Sequence, residues 1–201
     1  MKKHLFIFGT RPEAVKLAPL IRFCRGRPEH FEVKVCVTAQ HREMLDDVLE
    51  FFRIETDFDL NLMKANQTLF DISIHALSGL QEVLKSYQPD DIVVQGDTTT
   101  SFVGALAGFY TKTRISHIEA GLRSGDKFSP YPEEINRILT GHLTDFHFAP
   151  TDLARENLYR EGIRNNVWVV GNTVIDALMD GLNIIDKQQD KSFDEHFDFL
   201  D

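Results

Sequence analysis

Short apolar runs, each breaking at a glycine or polar hinge before an ionisable residue, most constrain what this chain can become. Leu5-Phe6-Ile7-Phe8 runs into Gly9-Thr10-Arg11, Ile92-Val93-Val94 into Gly96-Asp97, and Ile115-Ser116-His117-Ile118 into Glu119. Runs this short and this apolar are what strands look like when both faces of a sheet are covered. In an open parallel sheet, ligands sit in the crevice beyond the carboxyl ends of the strands. The pattern therefore points a cation and two carboxylates at one crevice, an arrangement suited to chemistry on an anionic substrate.

The rest of the chain supports that architecture. Strands are predicted over 4–8, 31–37, 91–94, 114–118, 146–149 and 167–170, with a weaker one near 58–61. Helical patterns fill the gaps at 14–24, 44–52, 69–87, 100–110, 133–143, 151–161 and 173–185. The segment 69–87 carries Ile72, Ala76, Leu80, Val83 and Leu84 close to a 3.6-residue period. The segment 100–110 is rich in small residues, which predicts a helix packed tightly on the sheet. Repeated β-α alternation predicts an α/β fold, a Rossmann-like doubly wound and mostly parallel sheet with right-handed crossovers. The tail from 186 to 201 is polar and acidic and reads as a linker.

Charge and cysteines narrow the function classes. A formal charge of −9 argues against a nucleic-acid surface, which needs a basic stripe. The two cysteines, Cys24 and Cys36, lack metal-ligand spacing and read as reduced thiols. The apolar stretch after Met1-Lys2-Lys3 stops at Gly9, too soon for a signal peptide. No run approaches the ~20 apolar residues that span a bilayer. The expectation is a soluble, cytoplasmic protein that binds neither membrane nor nucleic acid.

Four segments carry candidate chemistry, each with a plainer structural reading beside it. In Gly9–Lys16, Thr10 and Glu13 fit a capping box and Pro12 suits a first helical turn. A helix N-terminus attracts anions, and Arg11 and Lys16 add charge; the plainer reading is a cap with two surface cations. In Gln95–Thr100, Asp97 is either a site carboxylate or an ordinary helix N-cap. In Ser116–Arg123, His117 and Glu119 lie two apart, so on a strand they would share a face. Their plainer readings are a buried, satisfied histidine and a Glu119–Arg123 ion pair. The H-x-E spacing lacks the P-C-x-x-C partner of a zinc deaminase, and that reading is rejected. In Ser129–Arg137, a long loop delivers Glu133 to the start of a helix, with a Glu133–Arg137 helical pair as the alternative.

In this order, F-G-T-R-P-E-A-x-K-x-A-P-L, V-T-A-Q-H-R-E-M-L, G-D-T-T-T, H-x-E-A-G-L-R, P-E-E-x-N-R and G-N-T-V-I-D-A resemble the non-hydrolysing UDP-N-acetylglucosamine 2-epimerases. The resemblance runs from Leu5 to Ala177. It implies the N-terminal domain of a glycosyltransferase-B-like fold: residues 1–172 as a Rossmann-like domain, and 173–201 as a helix and acidic linker towards a C-terminal nucleotide-binding domain missing from this chain. It implies interconversion of UDP-GlcNAc and UDP-ManNAc for surface polysaccharide synthesis, a UDP-sugar substrate, a homodimer, and no cofactor or metal. Arg11 and Lys16 would bind the diphosphate–sugar region, with Asp97 and Glu119 also touching substrate. Asp97, Glu119 and Glu133 would be the catalytic carboxylates. Gln40, His41 and Glu43 resemble part of a regulatory UDP-GlcNAc site, although Glu43 and Asn66 stand where regulated members tend to have Gln and Arg. The alternatives are a non-catalytic dimerising or sugar-nucleotide-binding module, and a glycosyltransferase or hydrolysing epimerase of the same architecture.

Overall fold

Residues 5–8 are wholly buried, and their alternation organises the molecule in the computed structural model, which describes residues 1–38, 42–62 and 67–188. Successive strand residues point to opposite faces. Leu5 and Ile7 enter one apolar cluster and Phe6 and Phe8 the other. The elements run β1 (Lys2–Phe8), α1 (Arg11–Arg25), β2 (Phe31–Val37), α2 (Arg42–Phe52), β3 (Phe58–Asp59), α3 (Leu69–Tyr87), β4 (Asp91–Gln95), α4 (Thr99–Thr111), β5 (Arg114–Ile118), α5 (Glu133–Leu143), β6 (Phe146–Ala149), α6 (Asp152–Arg160), β7 (Val167–Val169) and α7 (Val174–Gln188). All the expected elements are present, with ends shifted by three residues or fewer.

The seven strands order as β3-β2-β1-β4-β5-β6-β7, every pair parallel. This is the Rossmann-like, doubly wound sheet that the alternation predicts. One layer packs Ala14, Leu17, Ala18 and Ile21 of α1, Leu45, Leu49 and Phe52 of α2, and Ala177 and Ile184 of α7 against Phe6, Phe8, Val35 and Val93. The other packs Ala76, Leu80 and Leu84 of α3 and Val103, Ala105 and Ala107 of α4 against Leu5, Ile7, Ile92, Val94 and Ile115. The small residues of α4 let it approach closely: a Cβ on Gly108 would lie 2.9 Å from Ile115 and 3.0 Å from Ile92. α7 is tied to α1 by Arg22 and Asp180, 3.5 Å apart.

Strand order reverses between β1 and β4. The connection after β1 leads to α1 on one face, and the connection after β4 leads to α4 on the other. Diverging connections open a crevice at this switch point. Gly9–Thr10 and Gly96–Asp97–Thr98 line it, and Glu119 stands directly after β5.

Candidate active site

The turn after β1 carries the expected capping box, but Glu13 does more than close it. Its carboxylate, 1% exposed, accepts from the Gly9 N–H (3.0 Å), the Thr10 N–H (2.8 Å) and the Thr10 hydroxyl (2.8 Å). Its second oxygen accepts from the Thr98 hydroxyl (2.7 Å) and lies 2.9 Å from the Ser101 hydroxyl. Burial lifts its pKa above the usual carboxylate range, and these donors pull it part of the way back. Arg11 is exposed at the first turn of α1 and makes no hydrogen bond or ion pair among the described residues. Lys16, one turn on, reaches Glu119 at 2.6 Å.

After β4, Gly96 turns the chain at φ +70°, donating its N–H to the Ile118 carbonyl. Thr98, not Asp97, caps α4, accepting from the Ser101 N–H. The Asp97 carboxylate is thus available, and Arg137 Nη2 meets it at 2.9 Å. Asn136 Nδ2 holds the Asp97 carbonyl at 3.0 Å. Burial raises the Asp97 pKa; Arg137 opposes this, Glu133 and Glu119 reinforce it, Lys16 opposes it, and the net direction is upward. Four of these charged groups therefore act on a fifth, from α1, the ends of β4 and β5, and α5.

Glu119 lies one residue past β5 in the left-handed region, φ +65°, so strand alternation does not govern its direction. A glutamate held there is strained, and such outliers cluster at functional sites. Three donors hold its carboxylate: Lys16, Gln95 Nε2 and Asn172 Nδ2 (2.7 Å). The alternative Glu119–Arg123 pair is not formed; Arg123 makes two 2.7 Å bonds to Glu161 instead. His117 matches the buried half of its plainer reading but is not fully satisfied, its Nδ1 having no hydrogen-bond partner among the described residues. It is buried, with Nε2 donating to the Gly96 carbonyl (2.7 Å), and burial drives its pKa down to about 4.

Glu133 opens α5, and its Oε2 is buried without a hydrogen-bond partner among the described residues. A buried acceptor left unpaired is exceptional and calls for an explanation. Arg137 does not pair with the Glu133 carboxylate; it lies between Asp97 and Glu134. Glu134, also buried, accepts the Ser124 (3.0 Å) and Gly125 (2.9 Å) amides and so ties down the loop before α5. Burial works upward on its pKa, but those amides and Arg137 hold it below the usual range.

Sequence reading missed Gln95 and Asn172 as partners of Glu119, and the bridging and loop-holding parts of Glu13 and Glu134. Asn172 had a signal in the G-N-T-V-I-D-A segment; Gln95 had none beyond its place before Gly96. Gln40 and His41 lie outside the described residues, as does the side chain of Glu43.

Residues 24–199 match the family described as UDP-N-acetylglucosamine 2-epimerase. The chain belongs to the UDP-N-acetylglucosamine 2-epimerase family. Among its family relatives, the Salmonella typhimurium UDP-N-acetylglucosamine 2-epimerase is 55% identical over 178 residues, 88% of this chain and 47% of the relative. The crystal structure of the Neisseria meningitidis UDP-GlcNAc 2-epimerase bound to UDP-GlcNAc superposes with a TM-score of 0.93 at 49% identity, covering 99% of this chain and 55% of that one. A lipopolysaccharide outer core galactosyltransferase shares the fold alone, at 12% identity and a TM-score of 0.57 over 84% of this chain and 45% of that one. This bears out the glycosyltransferase-B-like expectation. The chain spans about half the length of the curated family relatives it matches.

Proposed function

We propose that this chain is the carboxylate-bearing half of a non-hydrolysing UDP-N-acetylglucosamine 2-epimerase, interconverting UDP-GlcNAc and UDP-ManNAc in the cytoplasm for surface polysaccharide precursors. The observation that carries this is the gathering of Asp97, Glu119 and Glu133 with Lys16 and Arg137 at the switch-point end of the sheet, in a chain of this family.

The chemistry asks for these groups. The C2–H of the sugar is not adjacent to a carbonyl, so a carboxylate does not remove its proton unaided. As the C1–O bond to UDP lengthens, oxocarbenium character at C1 acidifies C2–H. A carboxylate takes the proton, the C1=C2 bond forms, and UDP leaves with the electron pair of the broken bond. UDP oxygen then re-adds at C1 while a proton arrives on the opposite face of C2. Inversion in this manner needs acid/base groups on both faces of the ring, hence more than one carboxylate. Asp97, its pKa raised by burial, suits proton exchange. Glu133 offers an unpaired oxygen, and Glu119 is fixed by its three donors. Arg11 and Lys16 stabilise the departing diphosphate. The second half found in the longer relatives closes the cleft and excludes water from the intermediate. The protein pairs as a homodimer through this half.

The test is conversion of UDP-GlcNAc followed by NMR, with the chain completed by a family second half. Asp97→Asn is expected to lower turnover by roughly 10²–10⁴. Wild-type turnover in that variant removes Asp97 from the mechanism. The 201-residue chain alone is expected to be inactive; robust turnover by it overturns the need for a second half.

A further inference from the structure

A capping box needs only the N-cap and N3 side chains and the amides of its own turn. Four groups donate to Glu13, of which the Thr98 hydroxyl belongs to the other side of the crevice; the Ser101 hydroxyl, also on that side, lies 2.9 Å away and shares its proton with the Gln95 carbonyl at 2.5 Å. α1 and α4 leave the sheet towards opposite faces, and this side chain bridges their first turns where the backbone connections part. Thr98 is the chain neighbour of Asp97. Arg11 and Lys16 flank Glu13 on α1. The β1 end of the bridge has no room to slide: a Cβ on Gly9 would fall 2.1 Å from Thr38 Oγ1 and 2.7 Å from Thr100 Oγ1.

We propose that Glu13 is a positioning residue that sets the span between the cationic arm of the site, Arg11 and Lys16, and Asp97 on the turn after β4. It touches no substrate. It acts by making the first turn of α1 and the first turn of α4 one rigid unit across the crevice. Reaction geometry of this kind tolerates little misplacement. The inference rests on the reading of Asp97 as a reacting group only for its consequence in turnover; the span itself is a property of this chain.

The experiment follows the Asp97 carboxyl by carbon-13 NMR in pH titrations of the 201-residue chain. Thr98→Val with Ser101→Ala cuts the bridge and leaves Glu13 to close its own cap, but it also removes the Thr98 cap of α4; Ser101→Ala alone keeps that cap and is the control for its loss. Glu13→Gln keeps a carbonyl oxygen for the two amides and an N–H for hydroxyls turned to accept. The double variant is expected to move the Asp97 midpoint, since Lys16 lowers that carboxylate's pKa and the bridge sets its distance. Glu13→Gln is expected to titrate as the wild type does, and Glu13→Ala as the double variant does. If the double variant does not fold, Ser101→Ala alone is expected to move the midpoint in the same sense. An Asp97 midpoint unchanged across the variants that fold overturns the proposal and reduces Glu13 to a helix cap. In the completed chain the bridge-cutting variant is expected to lower kcat about tenfold. Absence of turnover in the completed wild type overturns the functional reading alone and leaves the titration to decide the span.

Discussion

Carboxylates of one chemical kind do three different things here, and their surroundings decide which. Glu13 and Glu134 are buried and satisfied by several donors, so they hold structure. Asp97 is pushed up by burial and faces two other carboxylates. Glu133 keeps a buried oxygen unpaired. His117 beneath them offers a stability test. Its folded pKa is about 4 against 6.5 unperturbed. Between those values the unfolded chain binds more protons, so its contribution is fully present above about 6.5 and is lost as pH falls towards about 4. A shift of this size corresponds to about 3 kcal/mol. His147, whose pKa burial also lowers, works in the same direction, and Glu13 and Asp97 work in the opposite one. The readout is therefore a difference. In urea unfolding, His117→Gln is expected to show a smaller loss of stability than wild type on going from about pH 7 to about pH 4. Equal losses would show that His117 does not titrate with folding.

At the scale of elements, the turns after the strands are built by contact as much as by conformation. Gly121 (φ +90°) and Gly125 (φ +82°) both occupy the left-handed region in the connection between β5 and α5. A Cβ on Gly121 would lie 2.2 Å from the Ala154 carbonyl oxygen of α6, whereas Gly125 has nothing within 4 Å. Gly125→Ala is expected to cost about 1 kcal/mol, the left-handed penalty alone. Gly121→Ala adds a backbone clash of roughly 1–3 kcal/mol. Urea midpoints check the ordering; equal losses would mean that α6 yields. These elements were legible from local pattern. Residues 69–87 carry a helical apolar period, and the helix is Leu69–Tyr87. The start of α1 was legible in the capping box of Thr10 and Glu13 and in Pro12, which set it at Arg11, although the apolar period begins only at 14.

At the scale of the whole molecule, the outer faces of α3 and α4 leave large apolar side chains in water: Phe70, Ile74, Phe109 and Tyr110. Exposed apolar surface of this kind marks interaction sites. The proposed homodimer makes them its contacts. Sedimentation is expected to give a dimer, and Phe70→Glu with Ile74→Glu is expected to give a monomer. A monomeric wild type, or a dimer indifferent to both changes, would place the pairing elsewhere.

Local pattern alone determined the strands and helices, their alternation, and the turns on which Arg11, Asp97, Glu119 and Glu133 stand, because periodicity and capping act over a few residues. Only the tertiary structure decided which charge meets which. The near pairs Glu119–Arg123 and Glu133–Arg137 stand four residues apart in sequence, the second with helical spacing, yet Arg123 took Glu161 and Arg137 took Asp97. Lys16 found Glu119 across 103 residues, and Glu13 found Thr98 across 85. Such partners are set by strand order and by the face each helix covers, which bring distant turns to one rim. No window of neighbouring residues carries that information.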